Sequence, residues 1–305
     1  MSKPFLRFED GKVSLGGKDL LVNSADLSIA PTLEPERVYG DYDASIAGAK
    51  TEFVNFSPMS NLRGSLKISF FISAETFAQG GTPNSIDRLF DIKEGMSELP
   101  INQNIVGRYS FDNMYLKSFD FQLEPFQTIK ANATYDIFGS INRTIDRRFN
   151  VTSMNFAHAL KSFGEMKASG STMDAATSKQ FEIKSLSYNI VVDRKVHNTI
   201  RGAEHTSVNT GANGVVPARV TVEGIESEMS VQGNSIVPLL NSYGDRQAFA
   251  SPDDIADSKI EAFLYDIDKN KIARFSSQGK IQTQSYSIGE GQYAKGSITI
   301  KEILK

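Results

Sequence analysis

Three histidines are the only imidazoles in a chain of 305 residues that has no cysteine, so a zinc centre or a nucleophile–base pair would have to be built around them. His197 and His205 flank Glu204. Their spacing does not stack both rings on one helical turn, and no third ligand stands nearby. They read as solvated residues of a polar stretch. His158 has no serine elbow or zinc motif beside it and reads as a packing or capping residue. Asp266-Ile267-Asp268-Lys269-Asn270 opens like a calcium loop, but Lys271 occupies the place of the required glycine and Ser277 that of the bidentate glutamate. The same letters suit a hairpin turn between strands at residues 261–267 and 272–276. Gly211-Ala212-Asn213-Gly214 and Gly289-Glu290-Gly291 precede no helix and lack a Lys-Ser/Thr pair, so no phosphate loop is expected. Arg143, Arg147 and Arg148 form a local basic cluster, which reads as a solvated face or as a partner for acidic residues, with a nucleic-acid contact as the other use. No nucleophile, base and orienter can be grouped. The expectation is a protein without enzymatic activity, cofactor or metal.

The elements that would carry any site are mostly strands. Residues 13–29 alternate around Gly16-Gly17 and Asn23-Ser24 as a strand pair with a turn. Residues 31–57 follow as a long polar stretch, expected to be an extended hairpin or arm. Residues 66–77 are dense strand. Thr82-Pro83 caps a short helix bearing Ile86, Leu89 and Phe90. Residues 109–123 and 128–138 then make a closing hairpin. Phe156, Leu160 and Phe163 fall at helical spacing before Gly164, and a small, polar linker follows.

From there the pattern starts over. Leu186-Ser187-Tyr188 sits where Leu27-Ser28-Ile29 sat, and a second polar arm covers residues 193–216. Gln232-Gly233-Asn234-Ser235-Ile236 echoes Gln79-Gly80-Gly81-Thr82-Pro83-Asn84-Ser85-Ile86. It reads as a strand-to-helix corner written twice. Gln127, Lys130-Ala131 and Thr134 find counterparts in Gln292, Lys295-Gly296 and Thr299. The expected fold is therefore mainly β (α+β), a tandem pair of β-sandwich or barrel domains. Each has one short flanking helix and a long polar arm. Residues 1–145 form the first domain, 146–178 a helix and linker, and 179–305 the second.

Bulk composition agrees with a globular protein: 40% apolar, 23% charged, with a net charge of −3 that provides no positive field for holding nucleic acid. Residues 1–7 lack a signal-peptide core, and no apolar run reaches membrane-spanning length, so a soluble product made in the cytoplasm, with no membrane partner, is expected. The two arms carry opposite charge balances, the first being acidic and the second basic. Contacts between arms of adjoining copies are expected to involve Glu34, Glu36, Arg37, Asp41, Asp43, Arg194, Lys195 and Arg201.

This order of elements, with arms ending at Pro58 and Pro217 and a hairpin at residues 285–300 tipped by Gly-Glu-Gly, resembles the tail-tube proteins of tailed bacteriophages and contractile injection systems. The resemblance covers most of the chain by element order and has no short diagnostic motif. It implies a virion structural protein, a tube subunit or tube-like baseplate ring, in which three tandem chains make a pseudo-six-fold ring or six chains a hexamer. Rings would stack into a conduit through which genomic DNA passes non-specifically. Other tail, baseplate or sheath proteins would be partners, and the host cytoplasm the place of assembly. The alternative from the residues is a two-domain β-sandwich binding module for a receptor or glycan, to which exposed loop aromatics would point.

Overall fold

The computed structural model describes residues 13–29, 33–40, 51–58, 62–73, 100–143, 163–168, 179–180, 183–197, 219–234, 258–265, 271–287, 289 and 295–304. These are strands and their connections, with no helix among them. The short helices expected after Thr82 and after Asn234 lie outside the described residues. In chain order the strands are β1 Val13–Leu15, β2 Lys18–Leu20, β3 Val22–Ile29, β4 Leu33–Gly40, β5 Thr51–Pro58 and β6 Gly64–Phe71. There follow β7 Asn104–Val106, β8 Tyr109–Phe111, β9 Met114–Leu123, β10 Lys130–Ile137, β11 Ile141–Arg143 and β12 Phe163–Ala168. The last six are β13 Lys179–Gln180, β14 Ile183–His197, β15 Arg219–Asn234, β16 Ser258–Tyr265, β17 Lys271–Ser287 and β18 Lys295–Leu304.

Period-2 alternation explains why these segments pair as they do. In β6, Leu66, Ile68 and Phe70 are buried, and so are Phe119, Phe121 and Leu123 in β9 and Ala131, Ala133 and Tyr135 in β10. The residues between them in the pleat face the other way. The main sheet runs β3-β6-β10-β9-β14-β15-β18-β17, antiparallel throughout. Two smaller layers cover its apolar face. One is the sheet β2-β1-β7-β8-β11. The other is β13-β12-β16 with the first half of β17. One contiguous core joins all three, from Leu15 and Phe111 through Phe119 and Tyr188 to Leu264 and Phe275.

β17 belongs to both layers. Residues 271–279 pair with β16, and residues 280–287 with β18. The strand turns the corner at Gly279, where a Cβ would run into the carbonyl oxygen of Lys301, so only glycine lets the two backbones come this close. Inside the corner, buried Ser227 and Ser277 bond each other at 3.0 Å. Glu302 accepts from Ser227 Oγ at 3.1 Å and from the Gln278 amide at 3.0 Å.

The strand orders of the two halves coincide. β3-β6-β10-β9 repeats as β14-β15-β18-β17, and β2-β1-β7-β8 as β13-β12-β16-β17. The registers coincide too. Phe121 opposes Ala131, as Tyr286 opposes Gly296 165 positions later, and Ser118 opposes Thr134 as Thr283 opposes Thr299. A bulge skips Lys117 in one pair and Gln282 in the other, again 165 apart. Asn23 in β3 and Lys184 in β14 are likewise skipped.

Several sequence expectations need correction. Phe163 opens a strand rather than ending a helix, because β12 pairs along its length with β16. Asn23 is a bulge residue, not a turn. Ser235-Ile236 lie outside the described residues, and Gln232-Gly233-Asn234 is the paired end of β15, with Asn234 opposite Lys295. By register its counterpart is Ser69-Phe70-Phe71, since Phe70 opposes Ala131 as Gly233 opposes Gly296. Leu186 likewise matches Ala25 and not Leu27, counting from the shared bulge. Local letter similarity had pointed to the repeat in the wrong register.

Candidate functional site

The residues that could act on another molecule lie on the second face of the main sheet, on its edges and on the arms. Successive strands place short polar side chains opposite one another on that face. One row runs Ser69, Asn132, Asp120, Asn189, Glu228, Lys301, and the next Gln122, Ser187, Ser230, Thr299, Thr283. None of these is buried. Cross-strand hydrogen bonds tie the rows: Asn132 Nδ2 donates to Asp120 at 2.7 Å, Thr299 Oγ1 to Ser230 at 3.0 Å, and Ser285 and Ser297 hydroxyls meet at 2.6 Å. Charges of both signs are interleaved, with Lys301 against Glu226 at 2.8 Å and Lys117 near Asp136 at 3.8 Å. A face of short hydroxyls, amides and matched charges is hydrated and has no strong field, so a polyanion can pass along it without being held.

At one end of this face a small apolar cluster of Tyr115, Phe138 and Val220, with Leu62 and Val196, forms the base of the second arm. Tyr115 and Phe138 meet edge to face, 5.8 Å between centroids. Arg194 lies over the Tyr115 ring at 5.7 Å and its Nη1 donates to the Leu116 carbonyl. Burial lowers the Arg194 pKa to about 10, opposed by Asp136 and Tyr115, so it stays a cation at neutral pH. Burial raises the Asp136 carboxyl above its usual range, and Lys117 and Arg194 pull it back.

The residues expected to make contacts between copies divide into three groups. Arg194 is turned inward at the arm base, and Lys195 pairs with Glu223 across the hairpin at 3.8 Å. Glu34, Glu36 and Arg37 lie on β4, opposite Ser57, Asn55 and Val54 of β5. Asp41, Asp43 and Arg201 lie outside the described residues. Among the described residues β4 and β5 pair only with each other, so the first arm is an extended hairpin inserted between β3 and β6. The second begins where β14 and β15 shift register between Asp193 and Arg194.

Of the histidines, His197 Nε2 meets Thr221 Oγ1 at 2.9 Å on the adjacent strand. His158, His205 and Glu204 lie outside the described residues, as do residues 266–270, Gly211, Gly214, Glu290, Gly291, Arg147 and Arg148. Arg143 ends β11 opposite Tyr109. The strands flanking 266–270 pair antiparallel up to Tyr265 opposite Lys271. Sequence reasoning missed the open face as a unit. The Ser, Thr, Asn and Gln residues opposite each apolar position carried the signal, but only strand order puts them side by side.

A scan against protein-family models finds no match to this chain, and a search of the curated proteins finds none.

Proposed function

We propose that this chain is a non-catalytic structural subunit of a phage-type tail tube, or of a tube-like baseplate ring, and that it assembles edge to edge around a central channel. The observation that carries the reading is the repeat. Two internally duplicated units have the same strand order and the same bulges, and they are already joined side by side through β9 and β14. A side-by-side joint that repeats head to tail is a heterologous contact, which generates a ring where the rotation between units closes. Closure also removes the open sheet edges that would otherwise invite aggregation.

Three chains supply six units. At about 4.8 Å between strands and a tilt of about 40°, a barrel of about 24 strands is roughly 48 Å across between backbones, wide enough for a hydrated duplex. The polar face lines this channel, the apolar face with its covering layers is the outside of the wall, and the arms reach the next ring. Tail, baseplate or sheath proteins would dock on the outer layers, and the tube's place is the virion.

Negative-stain electron microscopy of concentrated protein tests this: rings or tubes with a central hole and three- or six-fold symmetry are expected. Compact monomers under all conditions would overturn it. A two-domain binding module is the second reading, favoured by Phe126, 80% exposed at a hairpin tip. Glycan-array binding lost on Phe126→Ala, with no rings, would establish it instead.

A further inference from the structure

Among the described residues, β3 on one side of the main sheet and residues 280–287 of β17 on the other have a neighbour on one flank only. The internal seam says what fits there. Within the chain, β9 and β14 pair with Gln122 opposite Ser187, Phe121 opposite Tyr188, Asp120 opposite Asn189 and Phe119 opposite Ile190. Residues 280–287 repeat β9 in pairing and bulge, and β3 repeats β14. Resting on the ring reading above, we infer that a second copy of this chain adds β3 antiparallel to β17 in the transposed register. Ser287 then opposes Asp26 of the second copy, Tyr286 opposes Leu27, Ser285 opposes Ser28, and Gln284 opposes Ile29.

Two features of the free edge agree with this. Ile29 is an isoleucine left 48% exposed at the position where its counterpart Ile190 is 1% exposed under the internal seam. Ser28 and Ser285 are exposed polar residues where Asn189 and Asp120 stand on the open face.

The outer seam is also a weakened edition of the inner one. Inside the chain, Phe119, Phe121 and Tyr188 pack together, with Phe275 between 4.7 and 5.6 Å from each ring. The transposed positions put Gln284 for Phe119, Leu27 for Tyr188 and Ala25 for Leu186. The inner seam therefore closes as the chain folds, whereas the outer seam closes only when copies are brought together at high concentration or on a template. Such a protein stays dispersed until assembly is called for.

The chain has no cysteine, so a disulfide can read the register directly. Directly opposed strand residues fall within disulfide reach. In the full-length chain, Ser28→Cys with Ser285→Cys should give, under mild oxidation at assembling concentration, a ladder of covalent multimers on a non-reducing gel. Ser28→Cys with Ser287→Cys, two positions out of register, should give little. Rings without preferential cross-linking of the first pair would overturn the register and leave the ring reading standing. Monomers only, for the wild type and both pairs, would overturn both. Gln284→Phe, which restores the inner seam's residue, should lower the concentration at which half the protein is assembled by about tenfold in mass photometry. An unchanged midpoint would overturn the weakened-seam account.

Discussion

Asn104 shows how much a single side chain can hold in a fold of short strands. It is buried. Its Nδ2 donates to the carbonyls of Ile101 at 2.8 Å and Phe111 at 3.1 Å, and its Oδ1 accepts the Gly16 amide at 3.1 Å. It thus ties the Gly16-Gly17 turn, where both glycines have positive φ, to β7 and β8. Asn104→Leu keeps the branched shape but strands two carbonyls and an amide, so a loss of about 3 kcal/mol is expected from urea denaturation. Asp136 provides a pH signature. Because burial raises its pKa in the folded state, its contribution is greatest when it is protonated, below the ordinary carboxylate pKa, and is lost as pH rises through the folded value. The denaturation midpoint of the wild type relative to Asp136→Asn should therefore move in the wild type's favour as the pH falls from about 7 to about 4. A difference independent of pH would show that Asp136 is not held in a desolvated place.

Among elements, the arms and the corner of β17 decide what the molecule can do. Among the described residues the first arm's strands pair only with each other, so no described ladder of the main sheet depends on them. Deleting residues 34–52 should leave the cooperative unfolding transition in place and abolish stacking of rings while single rings persist in electron micrographs. Loss of folding would make the arm part of the core. The β17 corner is different in kind, since Gly279 and the Ser227–Ser277–Glu302 bonds carry one continuous strand from the covering layer into the main sheet. In the first half the same path is split between β8 and β9, with Asn113 at positive φ between them. The same corner is built once as a turn and once as a bent strand, which is why the two versions share few letters.

At the scale of the whole chain, one core runs through both halves, and Phe275 packs over the joint between them. Phe275→Ala should cost about 3–5 kcal/mol and lower the unfolding midpoint as a single transition, measured by circular dichroism in denaturant. Two separate transitions would mean that the halves are independent. Strand alternation in β6, β9 and β10 was readable from the residues alone because one buried face imposes a period of two. The closing hairpins could be matched across the chain because their turns and pairing partners are close in sequence. The arms were visible as long polar stretches, and β4–β5 is the hairpin expected there. What the residues could not reveal was register over distance. Gln232 resembles Gln79 in letters yet stands by pairing where Ser69 stands, and β12 passed for a helix end because its partner β16 lies far along the chain. Composition and local periodicity determined that the protein is built mainly of strands. Only the tertiary structure decided which strands are neighbours, which side chains share the open face and which edges stay free, since hydrogen-bonded pairing between distant segments sets all three.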